Sequence, residues 1–141
     1  MIFETTGPEE TRAAARQVAA LLRPGDLIAY RGGMGAGKTT FTAGLAQGLG
    51  STAWVSSPTF ALVHQYDGPV PLCHFDMFRV TTVEDLYSTG FFDYLEGGAV
   101  LAVEWSENIE EALPEPHITV EIAIEEGDRR TITITGDERF L

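Results

Sequence analysis

The stretch GGMGAGKTT, Gly32 to Thr40, constrains this chain more than any other because of what stands on either side of it. Before it runs DLIAYR, an apolar segment that reads as a buried strand. After it, Phe41, Leu45 and Leu49 recur at helical spacing, and Gly50 supplies a left-handed exit. Gly32, Gly37, Lys38 and Thr39 meet the pattern G-x-x-x-x-G-K-[ST], and each position has a physical cause. The glycines let successive backbone N–H groups turn inward on phosphate oxygens, and the helix that follows adds its positive end. Lys38 reaches the terminal phosphates, and Thr39 offers its hydroxyl to Mg2+. The cradle so predicted comprises Gly33, Met34, Gly35, Ala36, Gly37, Lys38, Thr39 and Thr40.

Lys38 is the sole lysine, while eight arginines fill the other basic positions. A compact ammonium fits between phosphate oxygens where a planar guanidinium is too wide. The same count excludes a guanine-reading Asn-Lys-x-Asp motif, which needs a second lysine, so ATP is the expected nucleotide.

With 141 residues there is room for one compact domain, residues 1–141, and for little beyond it. Ile2 to Thr5 reads as a short strand. TTGPEETRAAARQVAALLRPG reads as a helix in which Thr6 and Glu9 form a capping box around Pro8. ALVHQY and VPLCHF look like two strands joined at Asp67-Gly68-Pro69, and TTVEDLYSTG like a short capped helix ended by Gly90. AVLAVE has the continuous apolar character of a strand buried on both faces. Ser106 can cap a helical turn through Leu113, and ITVEIAI and RTITIT alternate apolar and polar residues about EEGD as a hairpin with one wet face. The predicted architecture is an α/β P-loop NTPase domain. Its central sheet is expected to be mainly parallel and flanked by helices, with a C-terminal antiparallel hairpin.

A net charge of -12, from nine basic and 21 acidic residues, argues against a surface that grips a nucleic acid backbone and favours protein partners. MIFETTGPEE is acidic and lacks a basic region followed by an apolar one, and no apolar run is long enough to cross a bilayer. A cytoplasmic location is expected, without membrane contact. Cys73, the sole cysteine, lies in the apolar run VPLCHF and reads as a small buried residue.

Magnesium beside a P-loop usually has a carboxylate nearby, at the tip of a neighbouring parallel strand. Asp76 follows LCHF and Glu104 follows VLAV, and the residue order does not choose between them as metal ligand and water-orienting group. Ser57, Pro58 and Thr59 lie where switch segments sense a terminal phosphate, though a plain proline turn reads equally well. His74 reads as a satisfied structural histidine, and with no second His or Cys at metal spacing zinc is not expected. Arg79 suits a phosphate or partner contact, or an ion pair with Glu84 or Asp85. Trp105 suits core packing or an exposed contact. Arg129 and Arg130 suit a nucleotide contact or pairs with Glu125 or Asp128.

Taken in order, GGMGAGKTTF, SSPTF, HFDMFR and VEWSEN, between Gly32 and Asn108, resemble the bacterial TsaE family. The resemblance implies an ATPase of tRNA threonylcarbamoyladenosine (t6A) synthesis. Such an ATPase works with the partner proteins TsaD and TsaB, resets them between rounds, and leaves group transfer and tRNA contact to them. It assigns Lys38 and Thr39 to phosphate and Mg2+, Glu104 to the metal site, Asp76 to water positioning or an outer magnesium contact, and Thr59 to a switch. Lys38, Asp76 and Glu104 are thus the expected catalytic residues, with Thr39 and Glu104 on the metal. The family often has tyrosine where Phe78 stands and proline where Ser106 stands.

Two other readings compete. A small-molecule kinase on the same loop needs an acceptor pocket and usually an arginine-bearing lid, for which the chain has little room. A nucleotide-binding module that never hydrolyses ATP has no use for two strand-end acids.

Overall fold

The computed structural model describes residues 1–33, 37–52, 63–77, 80–105 and 110–141. Its strands are β1 (Ile2–Thr5), β2 (Leu27–Arg31), β3 (Val63–Tyr66), β4 (Leu72–Asp76), β5 (Val100–Glu104), β6 (Ile118–Ile124) and β7 (Arg130–Thr135). The helices are α1 (Pro8–Ala19), α2 (Lys38–Gly48), α3 (Val83–Ser88) and α4 (Phe91–Glu96), and a 3-10 turn, Glu138–Phe140, follows β7.

All seven strands join one sheet in the order β1-β7-β6-β2-β5-β4-β3. Its centre, β6-β2-β5-β4, is parallel, whereas β1/β7, β7/β6 and β4/β3 pair antiparallel. The sheet is therefore mixed, and the expectation of a mainly parallel one is corrected. Parallel neighbours need long crossovers, whereas β3/β4 and β6/β7 follow one another directly in the chain. The Asp67–Pro69 turn and the Glu125–Arg129 connection are too short for anything but hairpins. The C-terminal hairpin forms as expected, but β6 also pairs with β2, which makes it part of the central sheet.

Alternation along the central strands builds two cores. Ile28, Tyr30, Val100, Ala102, Val120 and Ile122 face α1 and α2, together with Phe41 and Leu45. Leu27, Ala29, Leu101, Val103, Cys73 and Phe75 face the other way, toward Leu86 of α3 and Phe91 of α4. β5 is buried along its whole length, as a strand covered on both faces must be. Cys73 is buried, and burial pushes its thiol up to about 11, in line with a small core residue.

α1 and α2 pack closely because α2 carries glycine where α1 carries alanine. A Cβ on Gly44 would lie 2.6 Å from the Ala15 Cβ, and one on Gly48 would lie 2.5 Å from the Ala19 Cβ. Each glycine weakens α2 as an isolated helix by roughly 1 kcal/mol, which the close approach offsets. The start of α1 differs from expectation. Gly7 is the N-cap and makes no side-chain cap bond. The Thr6 hydroxyl instead donates to the Glu10 carboxylate, and Glu9 pairs with Arg12. The Thr82 cap of α3 forms, its hydroxyl accepting from the Asp85 N–H. α4 had no forecast in the sequence, and the predicted Ser106 cap lies outside the described residues. No described helix is long and apolar enough to cross a membrane.

Candidate active site

β2 has parallel neighbours on both sides and runs straight into the glycine loop. Gly32 has φ +139°, and a Cβ there would stand 2.6 Å from the Ile122 carbonyl oxygen, so no other residue fits. Gly37, φ +110°, is the left-handed N-cap of α2. The helix thus begins at Lys38, and its first N–H groups, which have no intrahelical acceptor, are presented at the end of β2. Gly33 is exposed, Thr39 and Thr40 are half-buried, and Met34, Gly35 and Ala36 lie outside the described residues.

The side chains of Lys38, Glu104 and His74 converge here, with Asp76 alongside in register. The Lys38 ammonium donates to the Gly32 carbonyl at 3.2 Å and lies 3.6 Å from Glu104 Oε1. Glu104, 8% exposed, ends β5, and its Oε2 accepts from His74 Nε2 at 2.6 Å. Asp76 ends β4 in direct register with Glu104, which sets both acids on neighbouring tips and on the face turned toward α2. One further bond, Met77 N–H to the Glu104 carbonyl at 3.0 Å, ties the tips together. Burial pushes the Glu104 carboxyl up, but the hydrogen bond and charge of His74 and then the Lys38 ammonium outweigh it. The group settles below the ordinary carboxylate range and is ionised at neutral pH.

Behind these groups stands a brace that sequence reasoning missed. The Thr42 hydroxyl donates to the Lys38 carbonyl at 2.8 Å, so the Tyr30 hydroxyl donates to Thr42, at 2.6 Å. The Tyr30 ring meets His74 edge-on at 6.4 Å. The signal was a tyrosine inside the buried run LIAY, where its hydroxyl needs a partner. Trp105, 37% exposed, has φ +60°, and its ring centre is 5.7 Å from the Lys38 ammonium, which places it beside the candidate site and outside the core.

Next to the loop a cleft of about 310 Å³ runs between Gly37, Thr40, Thr6, Thr11, Asp128 and Arg130. Arg130 is held there by the carbonyls of Gly127 and Arg129, not by Glu125 or Asp128. Ser57, Pro58, Thr59, Phe78, Arg79 and Ser106 lie outside the described residues.

Among the described residues no group of three or more His, Cys, Asp and Glu side chains could hold a metal unaided. The oxygen donors near this point in the fold are hard ones: the ionised Glu104 carboxylate, Asp76 beside it in register, and the hydroxyl of Thr39 in the first turn of α2. That set fits Mg2+, which takes one or two carboxylates and completes its shell with phosphate oxygens and water.

The family model for the threonylcarbamoyl adenosine biosynthesis protein TsaE matches residues 5–132. The tRNA threonylcarbamoyladenosine biosynthesis protein TsaE of Bacillus subtilis is 45% identical over 136 residues, 95% of this chain and 84% of the relative. The protein of that name from Treponema pallidum is 34% identical, over 89% of this chain and 93% of the relative. The crystal structure of Bacillus subtilis YdiB superposes with a TM-score of 0.83 at 38% identity, covering 99% of this chain and 88% of that one. A likeness that holds in sequence and backbone alike over nearly the full length of each protein places the chain in the TsaE family of threonylcarbamoyl adenosine biosynthesis proteins.

Proposed function

We propose that this chain binds and hydrolyses ATP with Mg2+ as a cytoplasmic component of bacterial t6A synthesis, acting on the TsaB–TsaD complex without transferring the group itself. The observation that carries this reading is the convergence of Lys38, at the start of α2, with Glu104 and Asp76 on adjoining strand tips. The N–H groups from Gly33 to Thr40 take the phosphates, and Lys38 reaches the terminal ones. Thr39 and Glu104 hold Mg2+, which when bound supplies positive charge that neutralises the phosphate oxygens. Asp76 orients the attacking water. Displacing Glu104 from Lys38 would free the ammonium for the terminal phosphates. The cleft bounded by Thr6, Thr11 and Arg130 has the size and position to take the nucleoside, beside Gly37 and Thr40.

The charge of -12 supports contact with tRNA only through partners. The kinase reading finds less support, since β3 and β4 are joined by a short turn that leaves no room there for a lid. The test is phosphate release from ATP with and without TsaB–TsaD, for the wild-type chain, Lys38→Ala and Glu104→Ala. Stimulation by the partners, lost in both variants, is expected. Phosphate transfer to a metabolite would instead favour the kinase, and silence under every condition a binding module.

A further inference from the structure

His74 is fully buried in the middle of β4, and its ring offers two nitrogens. Nε2 donates to Glu104 Oε2 at 2.6 Å, whereas Nδ1 has no hydrogen-bond partner among the described residues. That asymmetry is informative. A buried polar atom left without a partner is unfavourable, and an apolar side chain of similar size would fill this position without that cost. Whatever the imidazole contributes must therefore come through Nε2, and among the described residues Nε2 touches only one oxygen of one acid. The two oxygens of Glu104 are then divided: Oε2 belongs to His74, and Oε1 faces Lys38 at 3.6 Å. The ring cannot swing away, because Tyr30 packs on it edge-on and is itself anchored through Thr42 to the Lys38 carbonyl.

We infer that His74 is a positioning residue: by holding Oε2 it fixes the carboxylate rotation that turns Glu104 Oε1 toward the phosphate side, where a divalent cation is taken up. The inference rests on the Mg2+–nucleotide reading above. It assigns His74 no contact with nucleotide or metal. Its contribution is the orientation of a carboxylate on which the Lys38 ammonium, 3.6 Å from Oε1, has only a loose hold.

The test compares His74→Gln, His74→Asn and His74→Leu with the wild-type chain. The Gln amide nitrogen reaches the place of Nε2, the Asn amide falls short of it, and Leu fills the space with no donor. Binding of a nonhydrolysable ATP analogue is titrated calorimetrically at increasing Mg2+ and again in EDTA, with melting curves alongside. Expected is a Mg2+ requirement within about threefold of wild type for Gln, and raised about tenfold or more for Asn and Leu, with EDTA-state affinity within about twofold throughout. Should Leu fail to fold, the contrast between Gln and Asn decides. A Mg2+ requirement unchanged in all variants, or Gln no better than Asn, overturns the inference and leaves the nucleotide reading standing. No Mg2+-dependent binding by the wild-type chain defeats that reading, and this inference with it.

Discussion

The two ends of β2 each hold a cation of nearly equal burial, and the two are satisfied very differently. Arg139, in the closing 3-10 turn, sits near the N-terminal end with its side chain 13% exposed. It donates to both oxygens of Asp137, to both oxygens of Asp26 and to the Leu21 carbonyl. Its hydrogen bonds to Asp137 and then to Asp26 hold its charge even more firmly than usual. Lys38, at the C-terminal end, is 11% exposed and has one carbonyl at 3.2 Å, one carboxylate oxygen at 3.6 Å and an indole face. A guanidinium whose donors are nearly all spent ties chain segments together. An ammonium held this loosely among the described residues has donors to spare for the phosphate contact proposed above.

The sharpest way to break this contrast is to remove each cation in turn. Lys38→Ala is expected to lower ATP hydrolysis by about 100-fold or more, since it removes charge stabilisation at the transferring phosphate, while the melting temperature stays near that of wild type. Phosphate release and a thermal melt check the two halves. Arg139→Ala is expected to do the opposite: nucleotide binding unchanged, stability reduced by about 2 kcal/mol in urea as charged hydrogen bonds are lost. If the variants exchange these phenotypes, the distinction between the two ends is wrong.

Smaller effects sharpen it. Tyr30→Phe removes one buried hydroxyl and leaves Thr42 its bond to the Lys38 carbonyl, so a loss of about 1 kcal/mol is expected. Hydrogen exchange should show that loss concentrated at the start of α2. At the other end, hydrogen bonds from Arg139 hold Asp137 down at about 2, against an ordinary 3.8. A carboxyl depressed in the folded state contributes stability that is fully present above its unfolded value and lost as pH falls through the folded one. The gap in stability between wild type and Arg139→Ala should therefore be constant above pH about 5 and close between pH about 4 and about 2. Acid titrations of both proteins by circular dichroism measure it.

How much of this could be read beforehand depended on range. The loop, α2, the doubly buried β5 and both hairpins carry their signals within a few residues: glycines at fixed offsets, helical spacing from Phe41 to Leu49, alternation in RTITIT. Pairing across the sheet carries none, which is why the antiparallel edges were undercounted. α4 was invisible because FFDYLE is too short and too aromatic to show a period. At α1 the capping box gave way to Gly7, with Thr6 and Glu9 finding other partners. Asp76 and Glu104 were legible as acids ending apolar runs, and the register that sets them side by side was not. His74 shows the limit most clearly, since nothing near HFD in the sequence points to a carboxylate 30 positions on.

The most direct measurement is a calorimetric titration of a nonhydrolysable ATP analogue with Mg2+ into the wild-type chain and Lys38→Ala, both shown to be folded. One site per wild-type chain and a loss of at least tenfold in affinity for the variant are predicted, the alanine removing a charged contact of about 1.5–3 kcal/mol. No binding by the wild-type chain, or equal binding by both, would contradict a triphosphate site at the C-terminal end of β2.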